Sequence, residues 1–183
     1  TKDSKDPAGG TIRRRAGTQE PDGVLEENAF FASLFPLMGK LGDVENQAMV
    51  SAGEALYMKF GYTTAQEGRA TPGALKTLEQ LAKKNALKID IVSYADITVA
   101  DQAMQSSYAK RSYQNHYRVG GIKLNFDGSP QGKTAWLTKP YFKVPEGQKP
   151  DYLGYPTYKD DAQVNALVEK SFTKGWQVLA HVK

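Results

Sequence analysis

The order of strand-like and helix-like segments after residue 61 limits the folds that this 183-residue chain can adopt. The predicted strands are Tyr62–Gln66, Ile89–Tyr94, Ile122–Phe126 and Trp176–His181. The predicted helices that separate them are Pro72–Asn85, Val99–Asn115 and Asp160–Lys174. Strands that alternate with helices are typical of right-handed βαβ units and a parallel sheet. Four such strands are about half of an eight-stranded barrel. The expected fold class is therefore α/β, a partial (β/α)8 TIM-type barrel, with an open doubly wound sheet as the alternative.

Local signals define several helix ends. Thr71 is expected to cap the helix that Pro72 begins, since proline is favoured at the first helical position. Asp43 is expected to cap a helix over Val44–Phe60, with Met49, Ala52, Leu56 and Phe60 on its inward stripe. Gly175 is expected to end the last helix.

The first 60 residues differ from the repeats that follow. Residues 1–23 are rich in glycine, proline and charge and predict an extended loop, followed by a helix over Val24–Met38. Arg13, Arg14 and Arg15 are read as a solvated part of that loop, with a phosphate or partner contact as the alternative. We expect residues 1–183 to be one incomplete barrel domain, with a loop and helical region at 1–60 and βα repeats at 61–183.

Composition excludes several classes of protein. The net charge is +4, and lysine and arginine are scattered among acidic residues, so no nucleic-acid footprint is expected. The chain has no cysteine, which excludes disulfides, thiolate catalysis and cysteine-based zinc sites. No apolar stretch is long enough to predict a membrane span. The compartment stays open between cytoplasm and bacterial periplasm. The polar start, which lacks an initiator methionine, is expected to be the cut edge of a longer protein.

The third strand carries the most informative polar pattern. Because side chains alternate along a strand, Lys123, Asn125 and Asp127 share one face, opposite Ile122 and Leu124. In a parallel barrel these polar groups would point into the lumen, with Asp127 nearest the C-terminal mouth where barrel active sites form. Three polar groups there are costly to bury without partners, which predicts a site. The alternative is a one-faced sheet with Lys123 in solvent.

Two further residues end their strands at the same edge. His181 lies at the C-terminal end of its predicted strand, where a barrel presents a metal ligand. A lone histidine, however, more often has a structural role. Glu67 would line the mouth or be a solvated loop carboxylate. Asp127 and Glu67 are therefore the candidate catalytic residues, and His181 is a candidate metal ligand.

Several phrases in order resemble the YtcJ-like branch of the amidohydrolase superfamily, which includes N-substituted formamide deformylases. They are Asp6-Pro7-Ala8-Gly9-Gly10-Thr11-Ile12, Pro21-Asp22-Gly23-Val24-Leu25-Glu26-Glu27-Asn28-Ala29, Gly61-Tyr62-Thr63-Thr64, Gly121-Ile122-Lys123-Leu124-Asn125-Phe126-Asp127-Gly128-Ser129 with Thr134-Ala135 and Pro140-Tyr141, and Gly175-Trp176-Gln177-Val178-Leu179-Ala180-His181. Each phrase is weak alone, but the ordered set spans essentially the whole chain.

The resemblance implies a metal-dependent hydrolase of amide or related C–N bonds with a small-molecule amide-type substrate. It implies one or two divalent metals, zinc by expectation, that activate water at neutral pH. Lys123 matches the strand lysine that becomes carboxylated to bridge two metals, and His181 matches a metal-binding histidine.

The resemblance also implies that most metal ligands are missing. The family's H-x-H motif would precede Thr1, its later histidine and final aspartate would follow Lys183, and His181-Val182 stands where the family has His-Ala-x-Gly-Asp. We therefore expect this chain alone to be inactive and to hold no catalytic metal. Two other readings stay open: a noncatalytic α/β module that binds a small molecule, and a half barrel that pairs with a second copy or with the rest of the barrel. The Pro- and Tyr-rich loop after the Lys123 strand offers Tyr141, Tyr152 and Tyr155 as pocket lining or as loop packing.

Overall fold

The computed structural model describes all 183 residues and contains six strands and five α-helices. The strands are β1 Gly10–Arg14, β2 Pro21–Glu27, β3 Thr64–Ala70, β4 Asp90–Asp96, β5 Tyr117–Asn125 and β6 Val178–His181. The helices are α1 Asn28–Met38, α2 Asp43–Lys59, α3 Pro72–Lys83, α4 Ala100–Ala103 and α5 Asp161–Thr173. No helix is long and apolar enough to cross a membrane.

The chain divides into two compact units. Unit 1 comprises Thr1–Met38, Asn125–Leu167 and His181–Lys183. Unit 2 comprises Gly39–Leu124 and Val168–Ala180.

Unit 2 is built on the parallel sheet that the alternating pattern predicts. Its strand order is β3-β4-β5-β6, so each strand lies beside the next one along the chain. β3 and β4 pair in parallel, as do β4 and β5, and helices follow the strands. The expected fold class is confirmed: this is a curled half-barrel sheet that forms part of a TIM-type barrel.

The core of unit 2 lies between α3 and one face of the sheet. Leu75, Leu78 and Leu81 of α3 are buried with Ile91 and Ala95 of β4. The helix begins as its sequence predicts, because Thr71 is the N-cap and its hydroxyl accepts a hydrogen bond from the Ala74 N–H.

Helix α2 packs with the face opposite to the predicted one. Its expected inward residues Met49, Leu56 and Phe60 are 53%, 56% and 68% exposed. The buried side chain is instead Glu54, whose Oε1 accepts hydrogen bonds from the backbone N–H groups of Lys88 (2.7 Å) and Ile89 (3.3 Å). Hydrogen bonding to the start of β4 therefore outweighs the apolar stripe in orienting this helix. The predicted Asp43 cap is also wrong, since Gly42 is the N-cap and the Asp43 carboxylate binds Lys76.

We expect Glu54→Ala to destabilise the chain by about 2–3 kcal/mol, because one buried and one part-buried N–H group lose their acceptor. Urea unfolding followed by circular dichroism measures the loss. Glu54→Gln keeps an acceptor oxygen and should cost less, and the exposed helical Glu169→Ala is the control that should change little. Equal effects of the alanine changes at 54 and 169 would contradict this role of Glu54.

Unit 1 begins with a β-hairpin where a loop was predicted. β1 and β2 pair antiparallel, with Gly10 opposite Glu27 and Ile12 opposite Leu25. The helix expected from Val24 consequently begins only at Asn28. Arg13 is not solvated: its Nε lies 2.7 Å from Glu26 Oε1, and each side chain is only 11% exposed. Cross-strand pairing across the hairpin thus overrides the loop-like composition.

The segment predicted as a helix over Val99–Asn115 is mostly irregular. A 3-10 turn at Ile97–Val99 leads into α4, which ends at Ala103. The backbone beyond pairs with a strand instead, since the Tyr108 carbonyl accepts from the Val119 N–H at 2.8 Å. Tyr108 is buried against Tyr117, at a ring-centroid distance of 5.3 Å. Packing of this tyrosine therefore replaces helix formation.

Candidate functional site

Asp127 supplies a buried carboxylate with one oxygen left unpaired. It follows the end of β5, is 5% exposed, and its Oδ2 accepts a hydrogen bond from the Trp136 N–H at 3.0 Å. Its Oδ1 is buried and has no hydrogen-bond partner. Because buried polar atoms are nearly always satisfied, this unpaired carboxylate oxygen is a candidate position for a cation or a proton.

His181 lies beside this carboxylate within unit 1. Its Nε2 is 2.8 Å from the Gly128 carbonyl oxygen and 3.9 Å from Asp127 Oδ1. A carbonyl can only accept, so Nε2 carries the proton in this hydrogen bond. In the neutral ring Nδ1 then holds the lone pair and is the nitrogen available to a metal. The sequence placed Asp127 and His181 at the same edge, and the structure brings them together.

A tight turn after Asp127 supports this pair. The Ser129 N–H donates to Thr134 Oγ1 at 2.9 Å, and the Thr134 hydroxyl donates to Glu27 Oε1 at 2.6 Å. The phrases that carry the family resemblance include Glu27, Gly128 and Thr134. No local spacing predicts their contact, because Glu27 lies 107 residues before Thr134.

We expect Gly128→Ala to destabilise the chain by roughly 1–3 kcal/mol or more through overpacking. A Cβ at Gly128 would lie 2.0 Å from Thr134 Oγ1 and 2.7 Å from Glu27 Oε1. The comparison variant is Gly53→Ala, in the middle of α2, where a Cβ meets nothing within 4 Å. That change should stabilise the chain by about 0.5–1 kcal/mol, since alanine has the higher helix propensity. Thermal unfolding tests whether Gly128→Ala lowers the stability of the chain and Gly53→Ala raises it.

Lys123 lies in unit 2 and forms no ion pair with a carboxylate. It is half-buried, whereas Ile122 and Leu124 on either side are fully buried, which agrees with the predicted alternation. Burial, and after it the positive charge of Arg69, lowers the pKa of the Lys123 amine below its ordinary 10.5. A lysine with a lowered pKa offers more neutral amine, the form that reacts with carbon dioxide.

Asp96 is the carboxylate opposite Lys123 in the β4–β5 register, but it has other partners. Its Oδ2 lies 2.7 Å from Arg69 Nε, and its Oδ1 accepts from the Thr98 N–H (3.0 Å) and hydroxyl (2.6 Å). Burial raises the pKa of Asp96, but the hydrogen bonds from Thr98 and Arg69 outweigh it, so its pKa lies below the usual value. The Asp96 carboxylate is therefore hydrogen-bonded to Arg69 and Thr98.

Glu67 lies on the other face of the sheet from Lys123. It pairs in register with Ser93, which has the same strand parity as the core residues Ile91 and Ala95. Lys123 pairs with Asp96, which has the opposite parity, and side chains alternate across a strand. Glu67 Oε1 also accepts a hydrogen bond from the Arg69 N–H at 3.0 Å. The catalytic role that the sequence suggested for Glu67 stays a prediction without geometric support.

The tyrosine-rich loop holds the backbone after the Thr134 turn. The Tyr141 hydroxyl donates to the Ala135 carbonyl and the Tyr152 hydroxyl to the Lys133 carbonyl, each at 2.8 Å. Their rings stack at a centroid distance of 5.9 Å. Burial, and after it the Asp127 carboxylate, raises the pKa of Tyr141, while burial raises the pKa of Tyr155 to about 12. Tyr141 and Tyr152 therefore act as packing residues of this loop.

The donor set fits part of a metal centre. No group of three or more His, Asp or Glu side chains is placed to hold a metal ion. What the chain supplies is an imidazole beside an unpaired carboxylate oxygen, and both are donors that divalent cations accept. The chain is thus part of a TIM-type barrel that places an imidazole and a carboxylate side by side at the ends of its strands.

Comparison with known proteins identifies the family. The model of the Amidohydrolase family matches residues 1–183, and the chain belongs to that family. No curated protein matches it significantly. An uncharacterized metal-dependent hydrolase from Pyrococcus horikoshii OT3 is 22% identical, with a TM-score of 0.68 over 89% of this chain and 32% of that chain. A second, from Pyrococcus furiosus, is 21% identical, with a TM-score of 0.67 over 87% and 33%. This chain thus spans about a third of the length of these two structures, and the likeness shows the fold.

Proposed function

We propose that this chain is a segment of a metal-dependent amidohydrolase that hydrolyses amide or other C–N bonds, in the YtcJ-like, N-substituted formamide deformylase-like branch. The family match supports the hydrolase class, and the ordered motifs support the branch. The observation that carries the proposal is the buried, unpaired Asp127 Oδ1 at 3.9 Å from His181 Nε2.

Each candidate residue has a distinct role in this proposal. His181 would hold a metal through the Nδ1 lone pair. Lys123, in its neutral form, would add carbon dioxide and lose a proton to solvent, and the resulting carbamate would be an anionic ligand. Asp127 accepts a proton through its free oxygen from the attacking water. When bound, a divalent metal, zinc by expectation, polarises the carbonyl and lowers the pKa of its water to about 7.

The chain alone is proposed to be inactive. An open catalytic metal site normally has three protein ligands, and no three His, Asp or Glu side chains of this chain are placed to hold an ion. We expect calorimetric titration of the 183-residue chain with Zn²⁺ to show no tight stoichiometric binding, and the same mixture to release no formate from an N-substituted formamide. Tight binding together with hydrolysis would overturn this part of the proposal.

The activity itself is tested on the complete barrel protein that carries this segment. Loaded with Zn²⁺, it should release formate and an amine from an N-substituted formamide. A His181→Ala variant should lose metal and activity together, whereas the exposed His116→Ala variant, matched in chemistry, should keep both. Full metal content and activity in the His181 variant would exclude the proposed ligand.

A further inference from the structure

We infer that Glu27 and Thr134 are positioning residues that hold the hydrogen bond between the Gly128 carbonyl and His181 Nε2. Glu27, Gly128, Thr134 and His181 all lie within unit 1.

The Thr134 hydroxyl has its direction set by Glu27. A hydroxyl has one proton to donate, and a carboxylate can only accept, so at 2.6 Å the proton points to Glu27 Oε1. The oxygen lone pairs are then available to the Ser129 N–H at 2.9 Å. Thr134 is 1% exposed, so its hydroxyl is shielded from bulk water. A charge-assisted hydrogen bond of this length is among the stronger types.

Gly128 is placed by the same two side chains. The nearest neighbours of a Cβ at this position would be Thr134 Oγ1 and Cβ, at 2.0 and 2.5 Å, and Glu27 Oε1, at 2.7 Å. The Gly128 N–H also donates to the Thr134 carbonyl at 3.3 Å. The backbone that carries the Gly128 carbonyl therefore rests directly on the Glu27–Thr134 pair, and that carbonyl is the acceptor for His181.

Glu27 itself is held in an unfavourable backbone conformation. Its φ of 48° lies in the left-handed region, which is uncommon for a residue with a side chain. It is the last residue of β2 and pairs with Gly10, and the next residue, Asn28, donates its N–H to the Gly9 carbonyl at 3.3 Å. Strained residues persist where the surrounding structure fixes them, often at functional sites. The hairpin therefore presents the Glu27 carboxylate from a fixed point.

This inference rests on the proposed function only for its consequence. Because the Nε2–H of His181 donates to the Gly128 carbonyl, Nδ1 keeps its lone pair and is the nitrogen available to a metal. The hydrogen bond itself needs neither metal nor activity to be observed. Failure of the proposed hydrolase would leave it untouched, and failure of the hydrogen bond would leave hydrolysis to be tested separately.

The test is nuclear magnetic resonance of the 183-residue chain with ¹⁵N-labelled histidine. The chain has only two histidines, so His116, which is exposed and pairs with Asp90 in unit 2, serves as an internal reference. In the wild type at a pH where the ring is neutral, His181 should show a single Nε2–H tautomer with a slowly exchanging proton. In Glu27→Ala the Nδ1 and Nε2 shifts should move toward each other and the proton should broaden by exchange with water, with His116 unchanged.

Matched variants separate positioning from folding. Glu27→Gln keeps an acceptor and Thr134→Ser keeps the hydroxyl, so both should retain the wild-type His181 signature, whereas Thr134→Val should lose it. Glu20→Ala, on the exposed end of the same hairpin, is the control and should retain it. If Glu27→Ala does not fold, Thr134→Val carries the same test. A folded Glu27→Ala or Thr134→Val protein with the wild-type His181 signature would overturn the inference, and so would loss of that signature in Glu27→Gln.

Discussion

Replacing Asp127 with asparagine should lower amide hydrolysis by the complete barrel protein by roughly 10²–10⁴-fold, the usual contribution of a general base. The substitution keeps the size of the side chain and the acceptor for the Trp136 N–H, and it removes the charge on Oδ1. Because that position is buried and unpaired, the substitution exchanges an unpaired charge for an unpaired amide group, and the net change in stability should be small. Each kcal/mol of net change would shift Tm by about 2–4 °C for a chain of this length.

Measuring the bound metal as well as the turnover rate distinguishes a proton acceptor from a metal ligand at Asp127. A proton acceptor predicts lost turnover with unchanged metal content, whereas a ligand predicts loss of both. Asp151→Asn, an exposed change in the tyrosine-rich loop, should alter neither rate nor Tm. An Asp127→Asn enzyme with wild-type turnover would remove Asp127 from the catalytic machinery.

The sequence predicts those parts of the fold that local patterns control. Thr71 and Pro72 begin α3 as expected because capping and the fixed φ of proline act within one turn. Gly175 follows α5 with a φ of 67°, the left-handed conformation that ends helices. The alternation in β5 predicted the buried Ile122 and Leu124, because a strand repeats every two residues.

The features of the fold that the sequence did not predict depend on contacts between residues that lie far apart in the chain. The hairpin of β1 and β2 forms through cross-strand bonds and the Arg13–Glu26 ion pair, and neither leaves a periodic signal in a segment rich in glycine and charge. Helix α2 turns Glu54 inward because two backbone N–H groups some 35 residues later need an acceptor.

In the candidate site, too, local patterns predict some residues, and distant contacts determine the others. Asp127 and His181 were placed at one edge of a parallel sheet because Asp127 follows its predicted strand and His181 is the last residue of its own. The contact of Glu27 with Thr134 spans 107 residues, and no spacing rule reaches so far. The pairing of Arg69 with Asp96 was also not predicted, because the two residues lie 27 positions apart on neighbouring strands.

Lys123→Met should abolish most activity of the complete barrel protein and yet stabilise this chain at neutral pH. The folded chain lowers the pKa of Lys123, through burial and then Arg69, so its protonated form is disfavoured relative to the unfolded chain. Between the lowered pKa and the ordinary 10.5, the unfolded chain binds more protons than the folded one. The stability of the wild type therefore rises with pH across that window.

The pH dependence of the stabilisation by Lys123→Met tests whether the pKa of Lys123 is lowered. The stabilisation by Lys123→Met is fully present below the lowered pKa and shrinks as pH rises toward 10.5, where the amine is increasingly neutral in both states. Urea unfolding of both proteins across that pH range measures it, with the exposed Lys139→Met as the control that shows no such trend. A gain that is independent of pH would mean that methionine acts through packing alone. A gain that grows with pH would contradict the lowered pKa, and with it the neutral amine that carboxylation of Lys123 requires.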